Sequence, residues 1–267
     1  MGLLPRVARA ALHFGEEPCI SGSKGSGTVF FSGCALKCVY CQNAPISRGG
    51  VGWPVSADDL GHIFENLREQ GAHNINLVSA SHFWPCVVQA LRKYPPGIPV
   101  VYNSSGYETP EALDALDGLV DVYLPDLKYL DEEGAGALSG APDYPQVACA
   151  AIAKMCGQTG PARYDAQGLM ARGTLVRHLV LPGRTVESFR VLNWVSEHLP
   201  QGTPVSLMGQ YTPYGEALRH PGLDRPLSPK AYGRVKDHMR ALGLEGYVQG
   251  KAHGTAQIPQ WDGTGVL

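Results

Sequence analysis

Residues 30–43 read FFSGCALKCVYCQN and carry three cysteines, Cys34, Cys38 and Cys41, on one short segment. The segment follows a β-branched and aromatic run that predicts a strand, and Gly33 lets the chain turn out of that strand into a loop. The cysteine spacing, three residues and then two, differs from the paired Cys-x-x-Cys elements of structural zinc sites. Three thiolates fit a cubane iron–sulfur cluster with one open iron, because complete ligation takes four cysteines. The spacing therefore favours a cluster over zinc or unligated thiols.

The composition excludes several classes of protein. The 267 residues are 44% hydrophobic and 17% charged, with a formal net charge of −2, so no basic surface for nucleic acid is indicated. No run is long enough to span a membrane, and the N-terminus lacks the continuous apolar core of a secretion signal. Seven cysteines, an odd number with three of them clustered, argue for a reducing compartment. We therefore expect a cytoplasmic protein without nucleic-acid or membrane partners.

Short apolar runs alternate with helical patterns along the chain. The runs that predict strands lie at residues 28–31, 75–78, 100–102, 120–124, 175–181 and 205–208. Strands that alternate with helices form a parallel sheet with right-handed crossovers. Six units are too few for a complete eight-fold barrel, so the sequence predicts an α/β fold of the open, partial (β/α)6 barrel type.

We expect a single domain in which residues 28–245 form the partial barrel. Residues 1–27 are predicted to be an N-terminal extension with a short helix at 5–14, and residues 246–267 a C-terminal strap with a small strand at 246–249. The loop at 16–27 is rich in glycine and serine but lacks the Gly-Lys-Ser/Thr ending of phosphate-binding loops. A flexible entry to the first strand is favoured over a phosphate cradle. Cys19 is either a fourth thiol near the other three or a small buried residue.

The three-cysteine motif, with the aromatic Tyr40 directly before Cys41, resembles the signature of the radical S-adenosylmethionine enzymes. The resemblance implies one [4Fe-4S] cluster whose open iron chelates S-adenosylmethionine and cleaves it reductively to a 5'-deoxyadenosyl radical. That radical abstracts hydrogen from a substrate in an anaerobic reaction. The resemblance also implies a one-electron donor such as flavodoxin or ferredoxin.

The functional residues of such sheets lie at the carboxyl ends of the parallel strands. The pyruvate formate-lyase activating enzymes, the branch that this chain most resembles, carry Gly-Gly-Glu after strand two, where this chain has Ser81 and His82. Hydroxyls of Ser79 and Ser81 can still accept hydrogen bonds from the cofactor ammonium, and His82 can instead cap the next helix. After strand three, Asp-Thr-Asn-Gly of those enzymes is matched by NSSG at 103–106. A cation held by that aspartate in relatives is therefore not carried over.

The next three strand ends match more closely or offer substitutes. Asp126-Leu127-Lys128 equals the Asp-Leu-Lys of the activating enzymes, and strand alternation puts Asp126 and Lys128 on one side, although a surface ion pair would look the same. Arg177 matches an arginine that contacts the cofactor in those enzymes, and its neighbour His178 is expected to pack on the other face. After strand six, Gln210 is a candidate for hydrogen bonding near the ribose, and Tyr211 for stacking.

These comparisons define a predicted set of site residues. Cys86, Cys149 and Cys156 stand apart on predicted helices, so a second cluster is not expected. The predicted metal ligands are Cys34, Cys38 and Cys41. The predicted cofactor contacts are Tyr40, Asn43, Ser79, Ser81, His82, Asn103, Ser105, Asp126, Lys128, Arg177 and Gln210.

Three functions remain open on the sequence alone. Residues 16–22 (EEPCISG) and 74–78 (NINLV) mark a group of proteins related to the activating enzymes whose substrates are not fixed by that resemblance. The first function is activation of a partner enzyme by hydrogen abstraction from a backbone glycine. The second is radical chemistry on a small molecule or a peptide. The third is a non-catalytic iron–sulfur or zinc protein.

Overall fold

The computed structural model describes residues 4–249 and 259–266, in which helices accompany two sheets of mainly parallel strands, one of eight strands and one of three. The strands are β1 (Arg6–His13), β2 (Ser26–Phe31), β3 (Trp53–Pro54), β4 (Ile75–Val78), β5 (Val100–Ser104), β6 (Val122–Pro125), β7 (Arg163–Tyr164), β8 (Met170–Thr174), β9 (Val176–Leu179), β10 (Val205–Met208) and β11 (Gly246–Val248). The α-helices are α1 (Pro18–Ser21), α2 (Ala44–Ser47), α3 (Ala57–Glu69), α4 (Trp84–Lys93), α5 (Pro110–Leu116), α6 (Glu132–Ser139), α7 (Tyr144–Thr159), α8 (Thr185–His198) and α9 (Pro229–Ala241). Two 3-10 turns lie at Ser81–Phe83 and Gly215–Arg219.

The six predicted strand–helix units are present and run parallel. Strands β2, β4, β5 and β6 pair in that order, and β9, β10 and β11 form a second parallel group. A backbone bridge between Asp126 and Arg177 joins the two groups, with the Leu127 N–H donating to the Arg177 carbonyl oxygen at 2.8 Å. The prediction of a partial (β/α)6 barrel is confirmed, and β11 adds the small parallel strand predicted near 246–249.

Residues 5–14 were predicted to form a helix, and that prediction is wrong. They form β1, which pairs antiparallel with β2 on one side and β3 on the other. Alanine, arginine and leucine favour helices locally, but Val7, Ala8 and Ala10 are buried only in the strand pairing that the structure adopts. Tertiary packing therefore overrides local propensity here.

Residues 16–22, which we call the inner segment, lie inside the barrel and not in a flexible loop as predicted. The turn of α1 buries Cys19 and Ile20 against Val101 of β5 and Leu124 of β6. These inward residues alternate with Tyr102 and Tyr123, which face the helices. Cys19 is thus a small buried residue in the floor of the barrel.

The C-terminal residues 259–266 lie along β1. The Ala10 N–H donates to the Thr264 carbonyl oxygen at 2.8 Å, and the Trp261 ring packs edge-on against Phe30 at 5.2 Å. The rest of the predicted strap, residues 250–258, lies outside the described residues. Among the helices of the described chain, none combines the length and apolar character that crossing a membrane requires.

Candidate active site

A cavity of about 140 Å³ opens at the carboxyl ends of the parallel strands. Its walls come from the loop after β2 and from the ends of β4, β5, β6 and β9. Ten of the predicted site residues line it together: Cys34, Cys38, Cys41, Asn43, Ser79, Asn103, Ser105, Asp126, Lys128 and Arg177. Residues that lie far apart in the sequence thus converge on one cavity.

Backbone hydrogen bonds hold the loop that carries the three cysteines at two points. Gly33, at φ +97°, donates its N–H to the Ile46 carbonyl oxygen at 2.9 Å. On the other side, the Lys37 N–H donates to the Ser139 carbonyl oxygen at 2.8 Å, where α6 ends. The carbonyl groups at a helix C-terminus lack partners within the helix, so this loop satisfies them while it holds its own shape. Cys38 therefore lies in a preformed backbone, with its Sγ 2.9 Å from Ser139 Oγ.

The three thiols are all free, as are the other four cysteines of the chain. Burial raises the pKa of Cys34 to about 11 and also raises that of Cys38, while the nearby Lys128 ammonium acts in the opposite direction. Within residues 4–249 and 259–266, no three His, Cys, Asp or Glu side chains converge as ligands of a single metal ion. A cubane takes its three cysteines on three different irons, so it does not require that convergence.

Opposite the cysteines lies a buried network of charged groups. Arg177 Nε donates to Asp126 Oδ1 at 3.0 Å, and Lys128 Nζ forms an ion pair with the other Asp126 oxygen. Arg177 also pairs with Glu16 of the inner segment, Nη1 to Oε2 at 3.2 Å. All four side chains are less than one-fifth exposed. Arg177, which the sequence predicts to contact the cofactor, is already partnered by two protein carboxylates in the structure.

Glu16 is a site residue that sequence reasoning missed. Burial is the main cause that raises its pKa to about 7, and the positive charge of Arg177 only partly offsets it. Burial also opposes ionisation of Asp126, but Arg177 and Lys128 outweigh it and hold that pKa below its usual value. The two carboxylates thus differ in proton affinity although they share one arginine. The only signal for Glu16 in the sequence was its place in the EEPCISG run.

The loop after β4 has an unusual backbone. Ser79 has φ +59° and is the one non-glycine residue with positive φ in the described chain. Such a conformation costs about 1–3 kcal/mol and is found mostly at functional sites. Ser79 lines the cavity, but the Ser81 hydroxyl turns away and donates to buried Glu108. Glu108 also binds Ser104, so a carboxylate that the sequence did not single out fixes this loop.

Two further residues tie the strand ends together. The Tyr144 hydroxyl, from the start of α7, lies 2.8 Å from the Ser105 carbonyl oxygen and 2.7 Å from that of Asp126, and it accepts from the Lys128 N–H at 3.0 Å. Gly106 has φ +79°, and a side chain there would collide with the Asp126 carbonyl oxygen. Both residues keep the loops after β5 and β6 in close contact.

The remaining predicted residues, Tyr40, Ser81, His82 and Gln210, are not part of the cavity lining. The buried Tyr40 hydroxyl pairs with that of Tyr129 in the wall behind the cysteine loop. His82 Nε2 lies 3.0 Å from the Ser32 carbonyl oxygen, and the ring does not cap α4. Gln210 Oε1 is buried without a hydrogen-bond partner among the described residues.

His178, predicted to pack on the other face, does so. Its ring is buried between the Leu127 carbonyl oxygen, 2.7 Å from Nδ1, and the Ser188 hydroxyl on α8, 2.9 Å from Nε2. Burial lowers the pKa of His178 to about 4, so the ring is neutral at physiological pH.

Comparison with known proteins gives one family and several similar folds. The model of the Radical SAM superfamily matches residues 28–192. An uncharacterised protein of Methanocaldococcus jannaschii is 28% identical over 228 residues, which is 81% of this chain and 62% of that protein. A radical SAM methyltransferase from Sphaerobacter thermophilus superposes with a TM-score of 0.57 at 17% identity, over 86% of this chain and 67% of that one.

A second solved structure has a similar fold. SuiB of Streptococcus suis, bound to its precursor peptide SuiA, superposes with a TM-score of 0.56 at 13% identity. The match covers 82% of this chain but 47% of SuiB, so this chain spans about half the length of that protein. These structural likenesses concern the fold of the barrel.

Proposed function

The chain belongs to the Radical SAM superfamily, and from that membership we propose that its cavity binds the family's two cofactors for hydrogen abstraction from a glycine residue. The cofactors are a [4Fe-4S] cluster and S-adenosylmethionine. Together they supply the electron and the bond cleavage that generate a 5'-deoxyadenosyl radical, which abstracts a hydrogen atom from the substrate. One observation carries the assignment of the site: three free cysteines line the same cavity as the Asp126–Lys128–Arg177 network.

The cysteine loop fits the cluster by its chemistry and its rigidity. Cys34, Cys38 and Cys41 supply three thiolate ligands, one short of the four that complete ligation takes. Cys38 and Cys41 each have a serine hydroxyl near the sulfur, Ser139 Oγ at 2.9 Å and Ser47 Oγ at 3.4 Å. Hydrogen bonds to cluster sulfurs are one of the means by which a protein sets the potential of such a centre.

The charged network fits the methionyl end of S-adenosylmethionine. A guanidinium has five N–H donors. Arg177 uses three of them on Asp126, Asn103 and Glu16, which leaves two. These two and the Lys128 ammonium can bind a carboxylate, and the oxygens of Asp126 and Ser79 can accept from an ammonium group.

A buried acceptor without a partner supports the ribose prediction. Gln210 follows β10, and its Oε1 lacks a donor among the described residues. A buried oxygen without a partner loses about 1–3 kcal/mol relative to a hydrogen-bonded one. A ribose hydroxyl at this strand end would donate the missing hydrogen bond. The enclosed 140 Å³ is smaller than the roughly 300–1,000 Å³ of pockets for drug-sized ligands, so the adenosine part would extend into the open mouth.

The substrate is the less constrained part of the proposal. Residues 259–266 run along β1, and none of them lines the cavity. A cavity mouth that residues 4–249 and 259–266 leave open can admit a loop of a partner protein, which supports the glycine of a partner enzyme over a small molecule. A one-electron donor such as flavodoxin or ferredoxin and a location in the cytoplasm belong to the same proposal.

Reconstitution tests the radical chemistry. Anaerobic loading with iron and sulfide, followed by dithionite and S-adenosylmethionine, should yield 5'-deoxyadenosine from the wild type. Cys38→Ala should lose both the cluster absorbance and the product. Cys149→Ala is the matched control, because Cys149 is a half-buried thiol on α7 outside the cavity. Production by Cys38→Ala, or a stable zinc content in place of iron, would refute the proposal.

Isotope transfer tests the substrate class. Cells of the organism that makes this protein are grown on deuterated glycine. Their soluble extract is then separated by ultrafiltration into a protein fraction and a small-molecule filtrate. The proposal expects 5'-deoxyadenosine to gain deuterium with the protein fraction. Deuterium transfer from the filtrate alone would assign the enzyme to a small-molecule substrate instead.

A further inference from the structure

The inner segment places the Glu16 carboxylate against Arg177 and Asn103, two residues that line the cavity. Its shape is fixed locally, since the Glu16 N–H donates to Ser21 Oγ at 3.1 Å and the Gly22 N–H to the Pro18 carbonyl oxygen at 3.0 Å. Ile20, fully buried, anchors the segment in the barrel floor. The position of Glu16 therefore depends on the barrel interior and not on the mobility of a loop.

Glu16 determines the orientation of two residues that line the cavity. Arg177 donates from three different nitrogens: Nε to Asp126 at 3.0 Å, Nη2 to Asn103 Oδ1 at 2.6 Å, and Nη1 to Glu16 Oε2 at 3.2 Å. The other Glu16 oxygen accepts from the Asn103 amide at 3.2 Å and from that of Asn76 at 3.4 Å. Three acceptors around one planar guanidinium leave it a single orientation.

We propose that Glu16 is a positioning residue for cofactor binding: it holds Arg177 and Asn103 from behind, so that the remaining guanidinium donors point into the cavity. This inference rests on the proposed function, because it assigns Arg177 to the methionyl carboxylate. Glu16 itself does not line the cavity and acts only through its neighbours.

The energetics of the segment argue against a purely structural role. A carboxylate at this depth is unfavourable even beside Arg177, as its raised pKa shows. Replacement of buried ionic groups by neutral ones is often neutral or stabilising in proteins. A residue that lowers the stability of the folded protein often has a functional role at its position.

Two conservative substitutions separate positioning from charge compensation. Glu16→Gln keeps the length of the side chain and a carbonyl acceptor for Arg177, but it removes the charge and the second oxygen, which accepts from the amides of Asn103 and Asn76. Glu16→Asp keeps the charge but withdraws the carboxylate by one methylene from a contact that is already 3.2 Å long. If Glu16 positions Arg177, Glu16→Asp should weaken S-adenosylmethionine binding about tenfold and Glu16→Gln by no more than about threefold. If Glu16 only compensates charge, the order of the two variants is reversed.

The measurement is the dissociation constant of S-adenosylmethionine for the cluster-loaded protein, obtained by equilibrium dialysis with iron content matched between samples. Glu17→Gln is the control, because the neighbouring Glu17 is equally part of the inner segment but hydrogen-bonds Gln249 at 3.3 Å instead of Arg177. It should bind as the wild type does.

A double-mutant cycle shows whether Glu16 acts through Arg177. In an Arg177→Lys background, Glu16→Asp should cause little further loss, since the oriented guanidinium is already gone. Equal losses in both backgrounds, or wild-type binding by Glu16→Asp, would overturn the inference. Failure of the proposed function looks different: the wild type itself then neither binds S-adenosylmethionine nor forms 5'-deoxyadenosine.

Discussion

The stability of the protein without its cofactors should depend on pH through Glu16. In the folded chain, burial raises the pKa of this carboxyl from 4.5 to about 7, against the attraction of Arg177 and with added repulsion from Glu17 and Asp126. Between these pH values the folded state keeps a proton that the unfolded state has released. The contribution of Glu16 to the free energy of unfolding is therefore largest below pH 4.5, and it is lost as the pH rises to 7.

The size of the effect follows from the two pKa values. At 1.36 kcal/mol per pH unit, the change from 4.5 to about 7 corresponds to on the order of 3 kcal/mol in total. About 2.5 kcal/mol of this loss lies between pH 5 and pH 8. The Glu16→Gln variant has no ionisable side chain at this position and does not undergo this loss. Its stability relative to the wild type should therefore rise by about 2.5 kcal/mol over that range.

Urea unfolding of the cofactor-free protein under reducing conditions at pH 5, 6, 7 and 8 measures this difference, and subtraction of the two curves removes the titrating groups that do not interact with Glu16. Glu69→Gln, at an exposed position near the end of α3, is the control and should show a constant difference. A Glu16→Gln difference that stays constant within about 0.5 kcal/mol from pH 5 to 8 would show that Glu16 is not the buried, proton-holding group described above.

Three other substitutions test the contacts around the cavity. Gly106→Ala places a methyl group against the Asp126 carbonyl oxygen at positive φ, and thermal unfolding should show a loss of stability on the order of 3 kcal/mol. The control Gly118→Ala, at positive φ in open space, should lose less stability. Tyr144→Phe leaves the Lys128 N–H without its acceptor, and urea unfolding should show a loss of about 1–3 kcal/mol. Gln210→Leu should leave the stability of the cofactor-free protein unchanged or higher, yet weaken S-adenosylmethionine binding about three- to tenfold in equilibrium dialysis; equal binding would remove Gln210 from the site.

The parallel barrel was predictable because its signals are local. Each strand is a short apolar run, and each following helix repeats apolar residues at helical spacing; in α3, for example, Ser56 and Asp59 form the capping box at the start. The strand ends were then located well enough to place ten predicted residues around one cavity. Strand alternation also placed Asp126 and Lys128 on one side, and both line the cavity.

The missed features depend on contacts between distant segments. β1 reads as a helix because its alanine, arginine and leucine content favours one, and only pairing with β2 makes it a strand. Glu108 lies in the loop after β5 and Tyr144 at the start of α7, and both reach the strand ends through side-chain hydrogen bonds that no spacing rule anticipates. Glu16 sits in a polar, glycine-rich context that is typical of surface loops.

The inner segment also constrains the order of events during synthesis. Glu16 and its partner Arg177 are 161 residues apart, and Glu17 and Gln249 are 232 apart. At roughly 5–20 residues per second, Glu16 leaves the ribosome on the order of 10–30 s before Arg177 does. During that interval its carboxylate lacks the guanidinium that partners it in the folded chain. The inner segment is therefore buried late in synthesis. In fragments that end before β9, proteases should cleave within residues 16–22, whereas the complete chain should resist this cleavage.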